Sequence, residues 1–158
     1  MAAAHSTVQA DQHDRVPNEV HGLAIVFYDG VCGMCNRLTQ LVLRLDRHRR
    51  VFYAPLQSTL AQRLLAPHGI DPLKLDSLVV LTRYGCADEM AWTRAAAVFE
   101  LSRVLGGWLR VFSWLRVLPS FVSDLGYRLV AALRYRLMGR YETCPIPTAA
   151  ERQRFLGL

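Results

Sequence analysis

The sequence predicts an α/β fold on a parallel or mixed sheet, and three observations lead there. Leu23-Ala24-Ile25-Val26-Phe27-Tyr28 is a continuous apolar run rich in β-formers, which suits a strand covered on both faces. Soon after it the spacing turns helical. Leu38, Leu41, Val42 and Leu45 fall at i, i+3, i+4 and i+7, with Arg37, Gln40, Arg44 and Arg47 on the other face. A second apolar run, Val51-Phe52-Tyr53-Ala54, then completes a βαβ unit, whose crossover is normally right-handed.

The elements follow in order. Asp29-Gly30 breaks the first strand, and the basic stretch Arg47 to Arg50 suits the negative end of the first helix. Pro55 stops the second strand. A short helix over Thr59 to Ala66 is ended by Pro67 and Gly69. Ser77 to Thr82 is a third, strongly apolar strand, and Arg83 to Asp88 turns into a fourth near Glu89 to Trp92. Thr93 is placed to N-cap a helix running to Leu105, where Gly106-Gly107 stops it. An arginine-studded helical region spans Trp108 to Met138, interrupted at Pro119, with Leu125, Leu129, Leu133 and Leu137 as its apolar stripe. The order is β-α-β-α-β-β-α with extra helices after it, and no internal repeat.

A chain of 158 residues fits one domain with a real core. Residues 1–20 are polar and lack the run of roughly 7–15 apolar residues a secretory signal needs, so they read as a disordered tail. The domain is expected over 21–147, with 148–158 as a C-terminal tail. Apolar runs stop short of the roughly 18 residues of a membrane span, which points to the cytoplasm. The net charge of +6 is almost all arginine, Lys74 being the only lysine, and the arginines are scattered rather than blocked.

Cys32-Gly33-Met34-Cys35 carries the chemistry. Two cysteines three positions apart on a helix's first turn can close a disulfide with little backbone movement. At the N-terminus, Cys32 faces unpaired backbone N–H groups and the positive end of the dipole, which favour a thiolate. Cys35, one turn further in, is placed to resolve a mixed disulfide. The rival readings are half of a zinc site, or cysteines without a role. A zinc site needs four ligands, there is no second CxxC, and His48 lies at the far end of the same helix. In a reducing compartment, a CxxC between strand and helix of a βαβ unit favours redox use. Asp29, three residues before Cys32, reads either as a turn residue or as a carboxylate accepting a proton from Cys35.

At Asp29-Gly30-Val31-Cys32-Gly33-Met34-Cys35 the sequence resembles the DCC family of thiol–disulfide oxidoreductases, named for an Asp-Cys-x-x-Cys motif. Phe52-Tyr53-Ala54-Pro55-Leu56-Gln57, Leu75 to Val80, Ala95 to Val98, Leu118-Pro119, Tyr127-Arg128 and Arg134 to Arg140 extend the likeness over about Leu23 to Pro147. The resemblance implies a thioredoxin-like three-layer fold, with a four-stranded mixed sheet and additional C-terminal helices. It also implies that Asp29, Cys32 and Cys35 are the site residues. Two departures from thioredoxins stand out. Their buried acid lies six positions before the first cysteine, where this chain has Val26. Their cis-proline position corresponds to Asp76-Ser77, where a cis bond would cost about 3–4 kcal/mol and a trans bond is expected.

The expected partners are protein or small-molecule thiols and disulfides, with no cofactor, no resident metal, no nucleic acid and nothing requiring more than a monomer. Two other classes stay open: a non-enzymatic CxxC metal-binding module, and a peripheral membrane or partner-binding protein using its basic C-terminal helices. For those helices the simpler reading is packing on the sheet with arginines in solvent, and Trp92, Trp108 and Trp114 read as core or edge packing. Cys86 reads as incidental, and Cys144, before Pro145-Ile146-Pro147, as a tail anchor or a regulatory thiol.

Overall fold

A computed structural model describes residues 16–30, 32–75, 77–117, 125, 126, 129, 132, 133 and 149–157. The strands are β1 (Ala24–Tyr28), β2 (Val51–Pro55), β3 (Val79–Thr82) and β4 (Met90–Thr93). The helices are α1 (Gly33–Leu45), α2 (Thr59–Leu65) and α3 (Arg94–Leu105), followed by a 3-10 helix over Gly107–Val117.

The strands form one mixed sheet in the order β2-β1-β3-β4. β1 and β2 are parallel, with Ala24 opposite Val51 and Tyr28 opposite Pro55. β3 runs antiparallel to both β1 and β4. The continuous apolar character of β1 follows from helices on both faces. Ile25 and Phe27 pack with Leu60, Ala61 and Leu65 of α2. Ala24, Val26 and Tyr28 pack on the other face with Val42 of α1 and Ala97 and Leu101 of α3. The result is a three-layer mixed α/β fold with a four-stranded sheet, compatible with the thioredoxin-like expectation.

Element boundaries match the expected ones closely, with informative differences. Ser58 caps α2: its hydroxyl accepts the Ala61 N–H at 3.1 Å. Thr93 occupies the N-cap position of α3 without a side-chain capping bond. Gly106 ends that helix at φ +71°, a conformation that favours glycine. At the N-terminus, Val20 is fully buried and Val16 packs against the α2-side core, so the packed chain begins before residue 21.

Within the stretch expected as a tail, Ala149–Arg152 form a short helix and Arg154 to Leu156 run along the outer edge of the sheet. Tyr53 donates its N–H to Arg154 O at 2.9 Å, and Leu156 donates to Tyr53 O at 2.7 Å, a parallel bridge onto β2. Phe155 stacks on Tyr53 and meets Tyr28 edge-on. The Arg154 guanidinium bonds the buried Asp46 carboxylate and Val51 O, and Asp46 also accepts the N–H groups of Arg50 and Val51. Between them the Tyr53 hydroxyl is buried without a hydrogen-bond partner. Burial pushes its phenol well above the usual range, opposed by Arg154 and reinforced by Asp46.

The expectation that Trp92, Trp108 and Trp114 are core or edge packing holds for the first alone. Trp92 does pack, donating its indole N–H to Thr82 Oγ1 at 3.1 Å. Trp108 and Trp114, however, are largely exposed on the 3-10 helix. Leu125, Leu129 and Leu133 are exposed too. Leu137 and Pro119 lie outside the described residues.

Candidate active site

The sheet topology collects three chain segments at one edge. β1 and β2 run parallel and end side by side at Tyr28 and Pro55. β3 runs the other way and begins there, with Val79 opposite Phe27. The segment from Asp29 to Cys35, the pair Leu56-Gln57 and the lead-in Ser77-Leu78 therefore leave the sheet at the same edge. Carrying the β1–β3 register two residues further sets Ser77 opposite Asp29.

The sequence folds locally as the spacing requires. Cys32 is the N-cap residue of α1, with extended backbone at φ −85° and ψ 118°, and Cys35 lies in the first turn. Cys32 donates its N–H to Asp29 O at 3.2 Å, closing the turn between strand and helix. Asn36 holds that turn from inside the helix. Its side-chain amide donates to Gly30 O at 2.8 Å and to Cys32 O at 3.1 Å. Sequence reading gave Asn36 no part, although a short amide one turn into the helix is well suited to reach back to the loop carbonyls.

Neither cysteine is in a disulfide, and the two buried side chains lie near each other. Cys32 has 0% of its surface exposed and Cys35 7%, so the expected nucleophile is the more deeply enclosed of the two. Asp29 is buried at 4% exposure, and Gln57 from the end of β2 donates its side-chain amide to Asp29 Oδ1 at 3.1 Å. The Gln57 carbonyl oxygen lies 3.5 Å from the Gly30 N–H. Gln57 is thus a further residue at the site. Its signals in the sequence are its place at the end of the family-like segment Phe52 to Gln57 and its position just past β2, which the parallel pairing brings beside the end of β1.

Ser77 adds a second feature. Its hydroxyl is buried with no hydrogen-bond partner, an arrangement costing about 1–3 kcal/mol unless another group satisfies it. Asp76, and with it the expected trans bond into Ser77, lies outside the described residues, as does Cys144. Val26, at the position of the thioredoxin acid, packs among apolar residues on the α1 side. Cys86 lies in the turn after β3, at the opposite edge of the sheet, and is half-buried beside Gly22. His48 is exposed beyond the far end of α1. Among the described residues no group of three His, Cys, Asp or Glu side chains is arranged to hold a metal ion.

Comparison with known proteins bears on this site directly. The profile of the DCC1-like thiol-disulfide oxidoreductase family matches residues 26–140, which include Asp29, Cys32 and Cys35. The uncharacterized protein YuxK of Bacillus subtilis (strain 168) is 29% identical over 143 residues, covering 90% of this chain and 97% of the relative. A chloroplastic DCC family protein of Arabidopsis thaliana is 28% identical over 123 residues, covering 77% of this chain and 69% of its own. No solved structure matches significantly.

Proposed function

Since the chain belongs to the DCC1-like thiol-disulfide oxidoreductase family, we propose that it exchanges disulfides through Cys32 and Cys35, with Cys32 as nucleophile and Cys35 as resolving thiol. The observation that carries the reading is the placement of the pair at the β1–α1 junction, Cys32 as N-cap and Cys35 in the first turn. The Cys32 thiolate attacks one sulfur of a substrate disulfide. A Cys32–substrate disulfide forms and the other substrate sulfur leaves as a thiolate, which takes up a proton. The Cys35 thiolate then attacks Cys32 Sγ, closing the Cys32–Cys35 disulfide and releasing the second substrate thiol. Two electrons and two protons pass from the dithiol to the substrate; the reverse sequence oxidises a substrate dithiol.

Asp29 is assigned the proton that Cys35 loses before it attacks, with Gln57 orienting the carboxylate through Oδ1. Asp29 and Cys35 are both buried, and a buried carboxylate can take up a thiol proton that bulk water does not reach. The reaction is placed in the cytoplasm, where paired cysteines stay reduced between turnovers. No helix among the described residues is long and apolar enough to cross a membrane.

The test is trapping. Cys35→Ser, incubated with a disulfide substrate, accumulates mixed disulfides through Cys32 that mass spectrometry identifies, while Cys32→Ser accumulates none. Trapping by Cys32→Ser alone reverses the two roles. Trapping by neither overturns the proposal.

A further inference from the structure

The edge of the sheet away from the dithiol holds a cavity of about 300 Å³ that the exchange chemistry does not use. Leu23 and Ala24 at the start of β1 and Val104 near the end of α3 give it apolar walls. Three arginines line it as well: Arg50 just before β2, Arg83 just after β3 and Arg103 in the last turn of α3. They are far apart in the sequence, and only the fold brings them together. Arg103 donates its Nε–H to the buried Glu100 at 2.7 Å, and one terminal nitrogen of Arg83 pairs with Asp88 at 2.7 Å. Arg50 reaches Val104 O at 3.4 Å. A guanidinium carries five N–H donors in a planar fork, so these contacts orient the groups and leave donors for a ligand.

Charge and shape together give the class of ligand. Among the described residues, no acidic side chain lines the cavity. A cleft lined by charges of one sign concentrates its counter-ion. The backbone points the same way: Arg83 sits at φ 57°, a left-handed conformation that favours glycine. A strained arginine at a cavity fits a side chain kept there for its charge. One guanidinium fork already fills the two oxygens of a carboxylate, whereas a phosphoryl group offers three oxygens and meets several forks at once. The apolar walls suit a compact body attached to that group. The volume is at the small end for ligand pockets, which selects a small molecule rather than a polymer.

We propose that this cavity binds a small phosphoryl-bearing molecule, its oxygens on Arg50, Arg83 and Arg103 and its body against Leu23, Ala24 and Val104. The length of β1, about 13 Å, separates the cavity from the edge that carries the dithiol, so binding is independent of the chemistry at Cys32.

The experiment is an NMR titration of the full chain at low salt with inorganic phosphate, phenyl phosphate and succinate. Both phosphates should bind saturably, with amide shifts centred on Leu23, Thr82 and Val104. Phenyl phosphate should bind more tightly than inorganic phosphate, since its ring covers the apolar walls, and succinate about tenfold more weakly than phenyl phosphate. Arg50→Gln and Arg83→Gln, at exposed positions whose change leaves the core intact, should each weaken phenyl phosphate by about tenfold, the loss of a charge-assisted hydrogen bond. Arg44→Gln, an exposed arginine of α1 outside the cavity, should leave binding unchanged. Cys32→Ser binds like the wild type, so failure of the exchange chemistry and failure of this site are read separately. Absence of saturable binding, or succinate binding as tightly as phenyl phosphate, overturns the proposal. So does inorganic phosphate binding as tightly as phenyl phosphate, or a loss in Arg44→Gln equal to that in Arg83→Gln.

Discussion

Arg154→Leu tests whether the C-terminal segment is part of the fold. The Arg154 side chain is 10% exposed and that of Asp46 2%. The guanidinium gives two groups their partners: the Asp46 carboxylate, and Val51 O, which it meets from Nε at 3.2 Å and from the terminal nitrogen at 2.8 Å. Removing it leaves a buried carboxylate without a countercharge, which costs about 3–5 kcal/mol when nothing else supports the charge. Here the N–H groups of Arg50 and Val51 remain on Asp46 at 3.0 and 2.9 Å, so the lower end applies. A loss of about 3 kcal/mol lowers the melting temperature of a chain this size by about 6–12 °C. Urea unfolding should show a lower midpoint at an unchanged slope. In a cycle with Asp46→Asn, the double variant should lie at least about 1 kcal/mol above the sum of the singles. A stability within about 1 kcal/mol of wild type would refute the reasoning, because only a solvated arginine is so dispensable. Thiol exchange per folded molecule should be unchanged, since Asp46 follows the far end of the 13-residue α1, about 20 Å from Cys32.

Two further outcomes are expected. Tyr53→Phe removes a buried hydroxyl that has no partner and should stabilise the protein at neutral pH by about 1 kcal/mol, read by urea unfolding. Its pH dependence has a fixed sign. Burial raises the phenol in the folded state only, so stability is level below the ordinary value of about 10. Above that, the unfolded chain loses the proton while the folded one keeps it, and stability falls by about 1.4 kcal/mol per pH unit. Phe at this position should remove that share of the alkaline decline; equal slopes for the two proteins would contradict the assignment. Asn36→Ala removes two hydrogen bonds, donated by the side-chain amide, that hold the loop carrying Cys32. Local opening should become easier by about 1–2 kcal/mol, so Cys32 in the native protein alkylates about five- to thirty-fold faster. Cys86 serves as the internal reference and keeps its rate, and an unaltered Cys32 rate would show that Asn36 does not hold the site shut.

Much of the fold was legible because its signals are local. β1 is apolar at every position since helices cover both faces, and α1 packs by Leu38 and Val42 of its expected stripe, whereas Leu41, counted on the same face, is exposed. What was not legible depended on pairing across distance. Phe155-Leu156 is too short and too closely flanked by Arg154 and Gly157 to show a period, yet its backbone fits the open edge of β2. The third strand starts at Val79 rather than Ser77 because the chain is leaving the sheet for the site. Trp108 and Trp114 show how far pattern reaches: spacing assigns residues to a common face but says nothing of what covers it. At the site, the cysteine pair and Asp29 lie within seven residues and were visible together. Gln57 was not, since only parallel strand pairing joins positions 28 residues apart.

The enclosure of the pair bears on how a dithiol of this kind works. Exchange needs a nearly linear approach of three sulfurs, so a thiol with no exposed surface reacts only when its surroundings open. The groups that close this site are not equally hard to move. β1 and the body of α1 are fixed by core residues such as Tyr28, Leu38 and Val42. The turn between them is held by polar contacts: Asn36 to the loop carbonyls, Gln57 to Asp29, and the Cys32 N–H to Asp29 O. Polar contacts of this kind each contribute about 1 kcal/mol net, far less than unseating a buried side chain. Opening can therefore be confined to the turn while the helix that carries Cys35 stays in place. On the proposed mechanism, a small oxidant in solution would meet a closed dithiol, whereas a substrate that binds the turn would open it and reach Cys32 with Cys35 held for the second step.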